Sequence, residues 1–293
     1  MSEKIKSKSH KFDKSFIVPL IIFIIYAFTL IYPFIYLIFN SVRDSWDFLS
    51  APLKLPTVSS ITFKNFIEVF TKLEEYTGFE GLTLQSMFFN SITLAGGLTL
   101  VGMTLQSMAS YVLAKYEFVG NKFIYMAIII ASMVPTVGSL AATYKLMYGT
   151  HLANTYVGMI CMQASAFGGC FLYLHAYFKA IPSSYMEVAR IDGASEFSIF
   201  TRIMVPLASK AIKTYGIICF LGFWNDYYLP SIFYDKHPTL AVGLTHINTA
   251  ATSTANYPLL FAAMIVIIIP VLIFFAIFQK QLLGSISEGG LKE

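Results

Sequence analysis

Between two apolar runs the sequence is Pro182-Ser-Ser-Tyr-Met-Glu-Val-Ala-Arg-Ile-Asp-Gly-Ala-Ser-Glu-Phe-Ser-Ile-Phe-Thr-Arg-Ile-Met-Val-Pro206, a polar stretch. Ser184 and Glu187 have the spacing of a capping box, in which a hydroxyl and a carboxylate satisfy backbone N–H groups at the start of a helix. The spacing therefore predicts a short helix that begins near Tyr185.

The second half of this stretch predicts another short helix. Gly193 breaks the first helix, and Ser195 offers a new N-cap. Because proline has no backbone N–H, the second helix is predicted to end before Pro206. The pattern indicates a helix-turn-helix at a membrane surface, which is either a functional element or a plain amphipathic connector. The apolar side chains of the second helix share one stripe: Phe197, Phe200, Ile203 and Met204.

The composition predicts an all-α polytopic membrane protein. Of the 293 residues, 56% are apolar and 12% are charged, and the mean hydropathy is +0.67. So little charge cannot cover a soluble globule of this size. Six apolar segments are long enough to cross about 30 Å of hydrocarbon as helices. They are residues 16–39, 89–114, 122–146, 155–178, 211–233 and 258–278.

The distribution of positive charge orients these spans. With the N-terminus in the cytoplasm, the inner segments hold fourteen of the 20 Lys and Arg residues, and the outer segments hold six. Because Lys and Arg accumulate on the cytoplasmic side of membrane proteins, both termini are predicted to be cytoplasmic. Residues 182–206 then also lie in the cytoplasm.

The remaining segments flank a membrane domain of residues 89–278. Residues 1–15 and 279–293 form cytoplasmic tails, the first of them basic. Residues 40–88 form an extracytoplasmic loop with a predicted amphipathic helix over about 64–76, which either covers the spans or contacts a partner. The apolar side of that helix carries Phe66, Ile67, Phe70 and Leu73.

Polar residues near the outer ends of the third and fifth spans are candidates for a translocation path. Beyond a bend expected at Pro135, Tyr144 belongs to a polar row that either lines a path or bonds to its own helix. Trp224, Asn225 and Asp226 follow in the fifth span. Because a carboxylate inside a membrane is costly unless it faces protein or water, Asp226 is a path or hinge candidate, or else a cap at the end of the span.

Several chemistries are missing from the sequence. It has no Gly-rich loop followed by Lys-Ser/Thr, and therefore no P-loop for ATP. The five histidines are scattered, and Cys161, Cys170 and Cys219 lie singly within spans, so neither a metal site nor a disulfide is predicted. No catalytic triad is recognised, and no basic, aromatic-interleaved surface indicates nucleic-acid binding. The remaining function is transport, without catalytic residues on this chain.

The spacing within residues 182–206 resembles the EAA loop of ABC importer permeases. That loop has Glu-Ala-Ala, three residues, Gly, nine residues and Ile-x-Leu-Pro. Here Glu187-Val-Ala189, Gly193 and Ile203-Met-Val-Pro206 follow the same spacing, with an apolar replacement at Val188 and another at Val205. Residues 182–206 are therefore named the EAA segment.

The resemblance extends from about Phe63 to the end of the chain and is to the carbohydrate-uptake branch, in particular permeases of the MalG type. It implies a type I ABC importer fold in a bacterial cytoplasmic membrane. It also implies four kinds of partner: a sister permease of the MalF type, two ATPase subunits of the MalK type, a solute-binding protein and membrane lipid. The solute expected first is an oligosaccharide, and the second expectation is a glycosyl-glycerol or another small polar solute. The matching motifs lie at 62–66, 90–92, 133–135, 189–195, 224–226, 240–244 and 289–292.

The same resemblance implies how the chain is driven. The EAA segment would dock in a cleft of the ATPase, where Glu187 would pair with a basic residue. ATP and Mg²⁺ would bind to the ATPase subunits, and this chain would bind no cofactor. The residues implied in coupling are Glu187, Ala189, Asp192, Gly193, Ala194, Ile203 and Pro206.

One alternative from a different functional class stays open. The chain is then a self-contained secondary transporter or channel that is driven by an ion gradient through Asp226. Uptake in proteoliposomes distinguishes the two, because an ABC permease without its ATPase moves nothing.

Overall fold

The computed structural model describes residues 17–134 and 138–289, with side chains up to Gln281 except that of Ser59. Within these ranges the chain is helical and has no strand beyond an isolated antiparallel bridge between Arg43 and Ile61. Its helices are α1 (Ile17–Ser41), α2 (Ser45–Ser50), α3 (Lys64–Thr71), α4 (Leu73–Thr77), α5 (Leu84–Lys115), α6 (Asn121–Met133), α7 (Ser139–Gly149), α8 (Tyr156–Gln163), α9 (Phe171–Ala180), α10 (Ser184–Ile191), α11 (Glu196–Ile199), α12 (Val205–Leu207), α13 (Ser209–Asn225), α14 (Tyr228–Phe233), α15 (Leu240–Thr254) and α16 (Tyr257–Gly289).

Three of these helices are long and apolar enough to cross a membrane. They are α1, α5 and the part Tyr257–Gln281 of α16, which correspond to the first, second and sixth predicted spans. A fourth candidate is a bent pair, Glu196–Leu207 with Ser209–Asn225, whose two parts meet at 78°. The third and fourth predicted spans are each divided into two shorter helices. The count of six spans therefore stays a prediction.

The fourth predicted span is interrupted between α8 and α9. The first residue of α9 follows Cys170, whose backbone N–H donates a hydrogen bond of 3.1 Å to Oε1 of Gln106 on α5. A helix start has N–H groups without partners inside the helix, and the Gln106 side chain satisfies one of them. In the third span, α7 starts after Gly138, whose φ of 89° favours glycine. The bend expected at Pro135 lies outside the described residues.

The chain forms two compact units. One comprises the described residues up to Val69 together with Ala251–Val266. The other comprises Phe70–Ala250 and the residues from Ile267 onward, and it contains the whole EAA segment.

In the first unit, the fully buried Arg43 organises the chain after α1. Its guanidinium bonds the carboxylate of Asp47 at 2.7 Å and the side chain of Asn40 at 3.0 Å. It also donates to the carbonyls of Asp47, Ala51 and Lys54. Because a buried cation is costly unless its donors are satisfied, these bonds fix the turn that follows α1.

The helix predicted over about 64–76 is present as two short helices, α3 and α4, and of its predicted apolar side chains Leu73 is buried. Ile67 and Phe70 are mostly exposed. The side-chain amide of Asn65 donates to the carbonyls of Ser41 and Arg43, both at 2.8 Å, and this turns a polar side of α3 inward. The buried residues of α3 are Asn65, Glu68 and Val69.

In the second unit, α9 and α13 both pack along α5, and the EAA segment joins the end of α9 to the start of α13. The three helices and the EAA segment share one apolar core. Because these elements share buried contacts, a displacement of the EAA segment is transmitted to the helices. The core consists of Met103, Tyr111, Cys170, Leu174, Phe178, Met186, Ala189, Ile199, Phe200, Met204, Ala208 and Ala211.

Candidate coupling site

The first helix of the EAA segment begins without the predicted capping box. α10 starts at Ser184, one residue before the predicted start near Tyr185, and its N-cap residue, Ser183, makes no side-chain cap. The carbonyl of Ser183 accepts from the N–H groups of Met186 (2.9 Å) and Glu187 (3.2 Å). The chain is already helical in φ and ψ at Ser183, so the backbone itself starts the helix, and the carboxylate of Glu187 is not used for capping.

α10 has one buried apolar side and one exposed apolar side. Met186 and Ala189 are buried in the shared core. Tyr185, Val188 and Ile191, three residues apart, are 50%, 58% and 84% exposed. Residues three apart lie close together on a helix surface. An exposed apolar stripe on a short helix is the usual form of a docking surface for another protein.

The carboxylate of Glu187 lies next to this stripe. It is exposed and pairs with no side chain in the part of the chain that the structure describes. An acidic group beside an exposed apolar stripe suits a partner surface that has an apolar cleft and a basic residue.

The turn between the two helices is built on Gly193, as predicted. Its φ of 79° lies in the left-handed region, which L side chains rarely adopt. No atom would meet an added Cβ at this position, so the glycine is required by backbone conformation and not by space. The N–H of Ala194 donates to the carbonyl of Ala189 at 2.9 Å and closes the turn beside Asp192, which is exposed.

The second helix starts as predicted but continues past its expected end. The hydroxyl of Ser195 accepts from the N–H of Ser198 at 3.3 Å and caps α11. A π-helical turn, Phe200–Met204, then leads into α12, which contains Pro206, so the predicted stop is wrong. The wider turn shifts the hydrogen-bond register, and the missing N–H of Pro206 falls in the first turn of α12, where proline is tolerated. Ile203 and Ala194 pack against the shared core.

An ion pair and a tyrosine clamp the two helices together. Arg190 on α10 bonds the carboxylate of Glu196 on α11 through Nε at 2.8 Å and Nη2 at 3.3 Å. The hydroxyl of Tyr116, the residue after α5, donates to the same carboxylate, and the guanidinium lies 5.7 Å from the centre of the Tyr116 ring. Arg190, Glu196 and Tyr116 are named the clamp.

The electrostatics of the clamp keep its ion pair charged at neutral pH. The Arg190 guanidinium, followed by the Tyr116 hydroxyl, holds the pKa of the Glu196 carboxyl below its usual range. Glu196 in turn raises the pKa of Arg190. Burial and the bond to Glu196 raise the pKa of Tyr116, so its phenol stays protonated and donates. The end of α5 is thereby joined to both helices of the EAA segment.

The sequence did not reveal the clamp. Arg190 and Glu196 are six residues apart and face each other only because the chain reverses at Gly193. Tyr116 is 80 residues away from Glu196. The available signal was an acidic and a basic residue on either side of a predicted turn. A second signal was the aromatic Tyr116 at the end of a span that was predicted to be cytoplasmic.

The candidate path residues have structural contacts of their own. Tyr144 is 47% exposed, and its ring lies against that of Tyr148 with 4.3 Å between centres. Trp224 is buried, with Phe88 and Phe220 as ring neighbours. The side-chain amide of Asn225 donates to the carbonyl of Leu221 at 2.8 Å. Their role in a path stays a prediction.

Asp226 caps a helix. Its Oδ1 accepts from the N–H groups of Tyr228 (2.9 Å) and Leu229 (3.3 Å) at the start of α14. The alternative that the sequence left open was a cap at the outer end of the fifth span, whereas these bonds cap the start of α14 within the predicted span. A path role for Asp226 is compatible with them.

Substitutions at Asp226 test the cap. An asparagine accepts the same bonds, so Asp226→Asn is expected to leave stability unchanged, whereas Asp226→Ala is expected to lower the free energy of unfolding by about 1 kcal/mol. Thermal unfolding of the permease in detergent measures both, with Glu80→Ala in an exposed loop as the control. Equal destabilisation by Asn and Ala would contradict the capping role.

The interruption of the fourth span contains polar groups that sequence reasoning missed. Gln163 ends α8, and its side-chain nitrogen is buried without a hydrogen-bond partner among the residues described. The hydroxyl oxygen of Ser107 on α5 is also buried without a hydrogen-bond partner among the described residues. No described group of three or more His, Cys, Asp or Glu residues has an arrangement that holds a metal ion.

The family model of the binding-protein-dependent transport system inner membrane component matches residues 106–287, which include the complete EAA segment and the Arg190–Glu196 pair of the clamp. This is more than half of the chain. The chain belongs to this family. It is therefore the membrane permease subunit of a binding-protein-dependent importer, as the sequence predicted.

Several similar proteins are sugar permeases by name. The arabinooligosaccharides transport system permease protein AraQ of Bacillus subtilis is 30% identical over 92% of this chain and 93% of the relative. The diacetylchitobiose uptake system permease protein NgcG of Streptomyces coelicolor is 28% identical over 91% of this chain and 85% of the relative.

A solved structure confirms the fold class. One chain of a bacterial ABC transporter involved in the import of the acidic polysaccharide alginate superposes with a TM-score of 0.74. The similarity covers 95% of this permease and 99% of that chain, at 22% sequence identity. The permease therefore has the fold of an ABC importer transmembrane subunit.

Proposed function

We propose that this permease forms half of the translocation path for an oligosaccharide, in an importer whose energy comes from ATP hydrolysis on separate subunits. The proposal of a sugar is supported by the names of the relatives, which include permeases for arabinooligosaccharides, for trehalose and for melibiose, raffinose and stachyose. The chain itself is then not an enzyme and binds no cofactor, and ATP with Mg²⁺ binds to the ATPase.

The observation that carries the proposal is the exposed side of α10. Tyr185, Val188 and Ile191 offer an apolar stripe, and Glu187 next to it offers a carboxylate that has no side-chain partner among the described residues. An ATPase cleft with apolar walls and a basic residue would cover both. The other EAA residues then have supporting roles: Gly193 makes the turn, while Ala189, Ala194 and Ile203 seat the segment on the core.

The mechanism follows from how the docked segment is connected. When ATP closes the ATPase pair, α10 is displaced with the cleft that holds it. The clamp and the shared core pass this displacement to α5, α9 and α13. The permease then alternates between inward-facing and outward-facing states, which is a rigid-body switch whose equilibrium ATP biases.

The proposed assembly has the composition that the family resemblance implies. It contains a MalF-like sister permease, two MalK-like ATPase subunits and an extracytoplasmic solute-binding protein. Both termini and the EAA segment lie in the cytoplasm of a bacterial cell. The excess of Lys and Arg in the segments assigned to that side supports this orientation.

Reconstitution tests the proposal. In proteoliposomes the permease alone is expected to move no sugar, and the complete complex is expected to import it when ATP is supplied to the ATPase side. Uptake by the chain alone under an ion gradient, abolished by Asp226→Asn, would overturn the proposal in favour of a secondary transporter. Thermal-shift measurements on the cognate solute-binding protein with a panel of oligosaccharides identify the substrate.

Glu187→Ala tests the docking role. A charge pair at an interface is worth about 1 kcal/mol when partly solvated, so ATP-driven uptake is expected to fall about fivefold. The matched control is Glu75→Ala, which removes another exposed carboxylate, from α4 in the loop after the first span. Unchanged uptake in Glu187→Ala, with equal amounts of assembled complex, would contradict the assigned role.

A further inference from the structure

Two of the three cysteines of the chain meet inside the second unit, although the sequence separates them. The Sγ atoms of Cys170 and Cys219 lie 2.9 Å apart, across 49 residues of chain. Both thiols are free. Cys170 immediately precedes α9, and Cys219 lies in the middle of α13. The sequence prediction that the cysteines lie singly is therefore wrong for this pair, because only the packing of α9 against α13 brings them together.

The pair belongs to a longer contact between the two helices. The ring of Tyr173 on α9 stacks on that of Tyr215 on α13, with 4.8 Å between centres and 20° between planes. The Cys170 sulfur also lies 3.9 Å from the carbonyl oxygen of Tyr215. These four residues, Cys170, Tyr173, Tyr215 and Cys219, are named the α9–α13 seam. The Gln106 side chain further fixes Cys170 by accepting from its backbone N–H.

We propose that Cys170 and Cys219 form a dithiol site that reacts as a unit with small, uncharged two-electron oxidants and with trivalent arsenicals, and that its disulfide leaves transport intact. A disulfide bond is about 2.05 Å long, so the two sulfurs need to approach by less than about 1 Å. Cys170 is buried and Cys219 is partly buried among apolar neighbours, which favours uncharged reagents over ionic ones.

The oxidation balances with a diazene dicarboxamide such as diamide as the oxidant. One cysteine sulfur adds to a nitrogen of the N=N bond, and its proton goes to the other nitrogen. The second sulfur then attacks the first, the S–N bond breaks, and the released nitrogen takes the second proton. The cysteines lose two electrons in forming the S–S bond, and the diazene becomes a hydrazine.

The arsenical reaction needs no oxidant. Phenylarsine oxide forms two As–S bonds with the two thiols and releases one water, so it reports on proximity alone. Cys161 provides an internal reference, since it is an exposed thiol on α8 outside the seam.

The position of the seam explains why the disulfide is expected to spare transport. Along the sequence, the EAA segment lies between Cys170 and Cys219. The helices before and after it, α9 and α13, share one core with the segment and with α5. A rigid-body transition moves such a group of elements together, so the α9–α13 spacing is expected to stay constant. This part of the inference rests on the proposed function, whereas the reactivity of the thiols does not.

Counting free thiols tests the site. Membranes that contain the full-length permease are treated with diamide, denatured, and labelled with a maleimide-polyethylene glycol that retards each tagged chain on a gel. The wild type is expected to fall from three tags to one, Cys161→Ser from two to none, and Cys170→Ser to keep its two. Phenylarsine oxide is expected to protect the same two thiols, and dimercaprol is expected to release them.

Three results would overturn the inference. Three tags on the wild type after both reagents would show that the pair does not react as a unit. Loss of both tags from Cys170→Ser would show that Cys161 and Cys219 pair instead. In the Cys161→Ser complex, ATP-driven uptake is expected to change less than about twofold on complete oxidation. A larger, dithiothreitol-reversible loss that Cys170→Ser lacks would show that α9 and α13 slide past each other.

Discussion

Replacing Ile191 with aspartate is expected to abolish ATP-driven uptake while leaving the permease folded. Ile191 is the last residue of α10, and 84% of it is exposed. It continues the apolar stripe of Tyr185 and Val188, so an ATPase cleft that receives α10 would bury it. An unpaired carboxylate in that cleft loses the apolar contact of Ile191 and adds the penalty of desolvating a charge. Together these weaken the binding of the ATPase by about 3 kcal/mol, or about a hundredfold in affinity.

The control for this substitution is Val119→Asp. Val119 is fully exposed in the loop between α5 and α6, on the same predicted side of the membrane and outside the EAA segment. Co-purification of the ATPase with the tagged permease, uptake in proteoliposomes and thermal unfolding of the permease are measured for both variants. If the ATPase co-purifies normally with Ile191→Asp, the apolar stripe is not part of the docking surface. If Ile191→Asp and Val119→Asp lose uptake to the same extent, the loss is caused by the added surface charge and not by the position of Ile191.

The EAA segment shows which features local chemistry makes predictable. The break at Gly193 and the cap at Ser195 depend on residues within one or two turns, and the structure confirms both. The capping box at Ser184 failed because the backbone of Ser183 already supplies the first carbonyl acceptor. The stop at Pro206 failed because a π-helical turn shifted the hydrogen-bond register before the proline.

Features that depend on distant residues were not predictable. The Tyr116 hydroxyl reaches Glu196 only after α5 has packed beside the EAA segment. Cys170 meets Cys219 only through the packing of α9 against α13. On α3 the periodicity predicted one apolar side, but it gave no sign of the two hydrogen bonds by which Asn65 ties the helix to the carbonyls of Ser41 and Arg43. A periodicity argument weighs apolar area and omits specific polar bonds.

The bend after the EAA segment links these observations to transport. Residues Glu196–Leu207 meet Ser209–Asn225 at 78°, so the second helix of the EAA segment runs across the direction of α13. If the bend between them is rigid, a displacement of the second helix of the EAA segment also displaces α13. The core residues Met204, Ala208 and Ala211 fill this bend. At the other end of this helix, the clamp joins Glu196 to Tyr116 at the end of α5.

Arg190→Glu is accordingly expected to lower ATP-driven uptake about tenfold, and the double variant Arg190→Glu with Glu196→Arg is expected to recover most of it. The pair is about half exposed, with side-chain exposures of 42% and 54%, so its removal alone costs little stability in water. The reversal also sets two carboxylates against each other at the turn. The lost attraction and the added repulsion together give the expected factor of about ten. Reversing both charges restores an attractive pair across the same turn.

Three measurements separate a clamp from a merely stabilising pair. Uptake per unit of ATP hydrolysed is expected to fall in Arg190→Glu, because an ATPase that still docks on α10 hydrolyses ATP without moving the helices. The Tyr116→Phe variant, which loses the third bond to Glu196, is expected to show a smaller loss of the same kind.

The lowered pKa of Glu196 adds a pH test. The clamp contributes above the ordinary glutamate pKa of about 4.3 and is lost only as the pH falls through the lower folded value, so coupling is expected to be constant between about pH 8 and pH 5. Equal losses in the single and double variants would show that Arg190 acts by itself, through contact with the ATPase, and not through Glu196.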